Sequence, residues 1–178
     1  WVGNLLGADA LAALSLSAPI TFAVLSFMIG INGTTLTILS QHRGRNDYEG
    51  IKKALNAFVV ILGSLSLVLG FIGYVGADFL LQLIGTPAEL MSLAKTYLQI
   101  NFLGIIFLLG YNFISTVLRA LGDSRTPLNI VLIAVILNII LDPLLIAGFG
   151  WGMTGAAYAT VAAQGIAFLY GVIFCIRT

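Results

Sequence analysis

Charge is what this sequence has least of. Only 8% of its 178 residues are charged, and the balance is a single net positive charge. Soluble domains are about 25% charged and about 45–50% apolar. Here hydrophobic types make up 60% and the mean hydropathy is +1.07. A chain this short leaves much of its surface facing solvent, so it cannot bury that much apolar surface within itself. A soluble globular domain is excluded on that ground. Disorder is excluded too, because it needs low hydrophobicity and high net charge. A net charge of +1 offers no basic field to nucleic acid. A single cysteine, Cys175, rules out an internal disulfide framework and a cysteine metal cluster. It ends an apolar run and reads as an inert buried thiol. The only histidine, His42, has no second His or Cys nearby and reads as a solvated surface group rather than a metal ligand. The first residues, Trp-Val-Gly-Asn-Leu-Leu-Gly, contain no starting Met, basic n-region or cleavage site. They read as the middle of a longer protein, not as a signal peptide.

What remains is an integral membrane protein made mostly of helices. Five apolar stretches run over residues 11–40, 54–75, 97–118, 128–146 and 156–176. A bilayer core of about 30 Å needs about 20 helical residues, so each is long enough to span. The first is the longest and most polar, with Ser15, Ser17, Thr21, Ser26, Asn32, Thr34, Thr35 and Thr37, and Pro19 as a candidate kink. Thr86-Pro87-Ala88-Glu89 reads as a helix start with Thr86 as its cap. The 20 glycines are expected mostly at close packing positions between helices.

The connections hold nearly all the charge. If the 41–53 connection is cytoplasmic, then Arg43, Arg45, Lys52, Lys53, Arg119, Arg125 and Arg177 all fall inside, and only Lys95 falls outside. Loops 41–53 and 119–127 are then cytoplasmic, and the glycine-rich segment with Trp151 lies outside. The implied location is the cell (plasma or inner) membrane, crossed several times.

Six of the seven acidic residues lie in or beside connections. The seventh, Asp142, lies inside the fourth span, in Leu137-Asn-Ile-Ile-Leu-Asp-Pro-Leu-Leu-Ile146. A charge near a helix centre costs about 2.5–3.5 kcal/mol on insertion scales, and such residues mark ion or proton paths. Asn138 precedes Asp142 by four residues and shares its face. Pro143 cannot donate to the Ile139 carbonyl, which loosens the backbone there. A carboxylate, an amide and a weakened helix in one place suit Na⁺ or a proton. The other reading is that Asp142 caps and hydrates the outer helix end. Asn101 and Asn112, eleven residues apart in the third span, are expected on one helix face. Thr160 lies in the fifth span. Asn and Thr in such spans more often tie helices together than bind ligands.

Several segments together resemble the multidrug and toxic compound extrusion family. They are Val2-Gly-Asn-Leu-Leu-Gly-Ala-Asp-Ala-Leu-Ala-Ala13, Ser40-Gln41 followed by Arg-Gly-Arg-Asn-Asp47, Leu118-Arg-Ala-Leu-Gly-Asp-Ser-Arg-Thr-Pro127, Asn138-Ile-Ile-Leu-Asp-Pro143 and Gly155-Ala-Ala-Tyr-Ala-Thr160. They are colinear and cover nearly the whole chain. The resemblance implies an all-α integral membrane fold of twelve helices in two six-helix lobes. This chain would supply five transmembrane helices, two to six, of the amino-terminal lobe. It implies an antiporter, not an enzyme, that exports cationic or amphipathic drugs by alternating access, driven by Na⁺ or H⁺ and needing no other cofactor. It also implies a cation site built from an acid on helix one, the Asn and Asp of helix five and a Thr on helix six. Here the last three are Asn138, Asp142 and Thr160, with Asn112 as a further cavity-lining position. The implied partners are the small substrate, membrane lipid, and the missing helix one and carboxy-terminal lobe of the same protein, with no nucleic acid. The chain alone is not expected to transport. Two other readings stand beside this one: a lipid-linked oligosaccharide flippase of the wider superfamily, and a membrane assembly subunit that transports nothing.

Overall fold

The computed structural model describes residues 1–177, and every regular element among them is helical. A five-residue turn, α1 (Val2–Leu6), leads into α2 (Ala8–Gly44). Next come α3 (Tyr48–Leu83), α4 (Ala88–Leu103), α5 (Ile105–Ala120), α6 (Arg125–Pro143) and α7 (Gly152–Arg177). A π-helical turn, Leu144–Gly148, follows α6. Helices α2, α3, α7 and α6 with its π turn are each long and apolar enough to cross a membrane. The pair α4–α5 makes a fifth crossing if taken as one bent span. The chain is thus a multi-pass helical membrane protein.

Backbone hydrogen bonds must close within each helix when no water is at hand. The hydroxyls of α2 follow the same rule. Ser15, Ser17, Thr21, Ser26, Thr34, Thr35 and Thr37 each donate to the carbonyl four residues back. A segment that reads as polar therefore presents few unpaired polar groups. Pro19 lies inside α2 without ending it.

Helices α2 and α3 have 37 and 36 residues, about 55 Å each at ~1.5 Å per residue. Both outrun a hydrocarbon core of about 30 Å. The 41–53 segment is accordingly almost all helix, and only residues 45–47 are not. Asp47 closes this turn. It accepts from the Gly50 amide at 2.8 Å and pairs with His42 Nδ1 at 2.8 Å. His42 is thus a partly exposed hydrogen-bond partner that braces a helix start.

The third span differs most from its sequence reading. Its helix starts at Ala88 and breaks at Gly104, where α4 and α5 meet at 49°. Asn101 and Asn112 fall on opposite sides of the break, so their spacing does not place them on one face. Each amide donates to its own helix, to Tyr97 and Leu108 respectively, at 2.8 Å. The break allows close packing: a Cβ on Gly104 would come within 2.5 Å of Val161 in α7. Thr86 does not cap α4. Pro87 occupies the cap position with φ −58° and ψ 144°, and the Thr86 hydroxyl is buried without a partner. Asp78 lies inside α3 and pairs with Lys95 of α4.

The core is thin and small-grained. Ala13, Ala77, Ala94, Ala157, Ala159, Ala163 and Ala167 are buried, while Phe22, Phe71 and Leu83 are each about 70% exposed. Such an outward apolar surface is the mark of contact with lipid. Leu39, Ile51 and Ala120 share one cluster, and Ala10, Leu81 and Met153 share another. Successive spans, with α4–α5 taken as one, thus run in alternating directions between two ends. The glycines divide between roles. Gly7, Gly85, Gly122, Gly150 and Gly152 have positive φ at turns, and others mark close approaches between helices.

Candidate functional site

Asp123 starts α6. Its Oδ1 accepts from the Arg125 and Thr126 amides at 2.9 and 3.1 Å. From there α6 runs regularly to Pro143, whose missing N–H ends the α ladder. The π turn takes over at Leu144. Single π turns inside membrane helices are frequent at functional positions. Asp142 therefore lies in the last α turn, one residue before Pro143, after which the helix changes register.

Asn138 and Thr160 meet across the α6–α7 interface. The Asn138 amide donates to Thr160 Oγ1 at 3.2 Å, and that hydroxyl donates to the Ala156 carbonyl at 3.1 Å. The interface is close because α7 begins with small residues. A Cβ on Gly155 would fall 2.7 Å from the Leu145 carbonyl oxygen in the π turn. One helical turn beyond Asn138, Asp142 stands outside this chain of bonds. Its Oδ1 is shielded from solvent and accepts no hydrogen bond. A shielded carboxylate oxygen without a donor costs roughly 1–3 kcal/mol or more. A proton or a bound cation removes that cost, so the arrangement fits either.

Thr160 also opens on a cavity of about 140 Å³ between α2, α4, α5 and α7. Its polar lining is Thr21, Tyr97, Asn101, Thr160 and Gln164. Asn112 is absent from that lining and lies one turn beyond the lining residue Leu108 on α5. Tyr97 and Gln164 were not singled out from the sequence. Gln164 follows Thr160 by four residues, and that spacing alone would have placed both on one face of α7. Tyr97 carried no such signal, since only the tertiary fold brings α4 beside Thr160 of α7. Among the described residues no group of three His, Cys, Asp or Glu could hold a metal ion.

The profile of the MatE family matches residues 1–144. "Probable multidrug resistance protein YpnP" of Bacillus subtilis (strain 168) is 55% identical over 99% of this chain and 40% of its own length. "Probable multidrug resistance protein YoeA" of the same organism is 34% identical over 97% of this chain and 38% of its own. Among solved structures, the inward-facing conformation of a multidrug resistance MATE family transporter of the MOP superfamily superposes with a TM-score of 0.93. It is 26% identical, over 98% of this chain and 39% of that one. The chain thus spans about two fifths of the length of the relatives it matches.

Proposed function

Because the chain belongs to the MatE family, a family of membrane transporters and not of enzymes, we propose that it forms helices two to six of the amino-terminal lobe of a cation-coupled drug exporter. The full protein would exchange Na⁺ or H⁺ for cationic or amphipathic compounds by alternating access in the cell membrane. Helix one and the second lobe, outside this chain, complete the path. The observation that carries the reading is the shielded, unpaired Oδ1 of Asp142, one turn from the Asn138–Thr160 bond.

In this mechanism the coupling ion is cargo. Asp142 takes a proton directly, or binds Na⁺ with oxygens from Asn138 and Thr160 completing part of its shell. Either event neutralises a negative charge on a half-buried carboxylate whose Oδ1 is shielded from solvent. The gain is largest in the state that shields Asp142 best, so the ion favours that state by its differential affinity. Asn138 and Thr160 tie α6 to α7, and the π turn after Pro143 gives α6 a place to adjust. Through the Asn138–Thr160 bond the change is felt at the walls of the cavity that Thr160 lines. Substrate and ion then couple reciprocally, as two ligands of one equilibrium must.

The test is ethidium extrusion from efflux-deficient cells carrying the full-length gene. The native protein should extrude the dye, and Asp142→Asn should not, at equal membrane abundance. Imposed Na⁺ and pH gradients in vesicles then identify the ion. Efflux that survives Asp142→Asn would remove Asp142 from the coupling role.

A further inference from the structure

A second, larger cavity lies away from the Asp142 site. It is a groove of about 510 Å³ between α3, α5 and α7, within the roughly 300–1,000 Å³ range of ligand sites. Its α3 wall runs from Leu55 to Ser66 and its α5 wall from Ile106 to Val117. Eleven residues at ~1.5 Å each give a length of about 16 Å. That is about half of a ~30 Å hydrocarbon core, the depth of one leaflet. A membrane-spanning helix would need the full depth.

The lining is apolar and offers nothing to a cation. Its one hydroxyl, Ser66, already donates to the Gly63 carbonyl at 2.8 Å. Two glycines make the room. A Cβ on Gly110 would meet Phe168 at 2.4 Å, and a Cβ on Gly63 would face open space. Cys175 also lines the groove and is exposed, so it is not the buried thiol its sequence context suggests.

One mouth of the groove is cationic. Lys52 lies three residues before Leu55 on the same side of α3. Arg43 stacks over the Tyr48 ring at 6.0 Å, one turn further out. Arg177 follows the lining residue Ile176. Two of the three acids at this end are occupied: Asp47 by His42 and the Gly50 amide, and Asp123 by the Arg125 and Thr126 amides. Glu49 is the third. An apolar shaft one leaflet deep under a cationic rim matches an anionic phospholipid, acyl chain inward and phosphate at the rim.

We propose that the α3–α5–α7 groove binds an anionic phospholipid of the leaflet on the 41–53 side, with Lys52 as its main headgroup contact. The proposal needs only the membrane setting and is independent of the coupling reading. The test uses full-length protein, purified in detergent, delipidated and titrated with dioleoyl phosphatidylglycerol or dioleoyl phosphatidylcholine. Native mass spectrometry counts the bound lipid. One phosphatidylglycerol should bind about fivefold more tightly than phosphatidylcholine, the discrimination of one lysine near a membrane surface. Lys52→Gln should erase that preference, and Gly63→Phe should remove the site for both lipids. Lys52 sits on an exposed helix end, so its variant carries the test even if Gly63→Phe fails to fold. Equal affinity for the two lipids, or a preference untouched by Lys52→Gln, would overturn the proposal. So would a dimer mass abolished by Gly63→Phe, or displacement of the lipid by ethidium.

Discussion

Three aspartates show how position decides the work a carboxylate can do. Asp47 and Asp123 stand at helix starts and accept backbone amides. Asp142 ends a helix and accepts nothing at Oδ1. Helix starts favour negative charge, through free N–H groups and the macrodipole. The Thr126 hydroxyl and amide, and then the Arg125 amide, hold the Asp123 carboxyl below its usual range. A lowered folded value contributes stability that is present above the unfolded value of about 3.9 and is lost as pH falls through the folded one. The start of α6 should therefore stay capped to a pH below ~3.9 and fray beneath it. In the full-length protein the Arg125 and Thr126 amide shifts should titrate together with that lowered midpoint, and Asp123→Asn should abolish the titration. A midpoint at the ordinary Asp value would mean that the cap does not form. The contrast among these residues was legible in the sequence. Asp142 alone among seven acids sat in an apolar run, and Asn138 four residues earlier shared its face. That its oxygen would lack a donor was not legible, because Asn138 could have turned to Asp142 and instead bonds Thr160 on another helix.

At the scale of elements, hydropathy located the helices but not their ends or breaks. Apolar length marks where a chain can cross hydrocarbon. It carries no information about helix that continues into water, which is how α2 and α3 came to exceed their apolar cores. The break at Gly104 was hidden for a different reason. It goes with the close approach of Val161 from α7, a contact between residues far apart in sequence. The π turn had a local cause, and Pro143 announced it. The α6–α7 pairing carries the Asn138–Thr160 bond and depends on Gly155 lying against the Leu145 carbonyl. Gly155→Val would drive side-chain atoms into backbone that cannot yield easily. A cost of roughly 1–3 kcal/mol is expected from such overpacking. Gly165→Ala is the control, because a Cβ there meets Phe107 at an ordinary 3.7 Å. Thermal unfolding of the detergent-purified full-length protein should show a lowered midpoint for Gly155→Val and little change for Gly165→Ala. Equal midpoints for Gly155→Val and the native protein would mean that α6 and α7 are not packed this closely.

For the molecule as a whole, the distribution of polarity matters more than any one contact. Many large apolar residues face out, unlike those of a soluble fold, and this was already implicit in 60% hydrophobic and 8% charged residues. The helix directions then sort the charge. The carboxy ends of α2, α5 and α7 and the starts of α3 and α6 gather at one end, with seven of the eight lysines and arginines. Lys95 alone sits toward the other, and it is neutralised by Asp78. Basic residues near span ends are retained on the cytoplasmic side, so this asymmetry predicts that the 41–53 end is cytoplasmic, an orientation that helix packing alone leaves open. Full-length protein with Cys175 and any other native cysteines replaced, and one cysteine returned at Arg45 or Phe149, tests it in intact cells. A membrane-impermeant maleimide should label Phe149→Cys, an exposed position beside Trp151, and should reach Arg45→Cys only after the membrane is opened. Labelling of Arg45→Cys from outside would invert the molecule. It would then put the cationic rim of the α3–α5–α7 groove in the outer leaflet and turn the π turn after Asp142 toward the cytoplasm. The direction from which the coupling ion reaches that carboxylate would reverse as well.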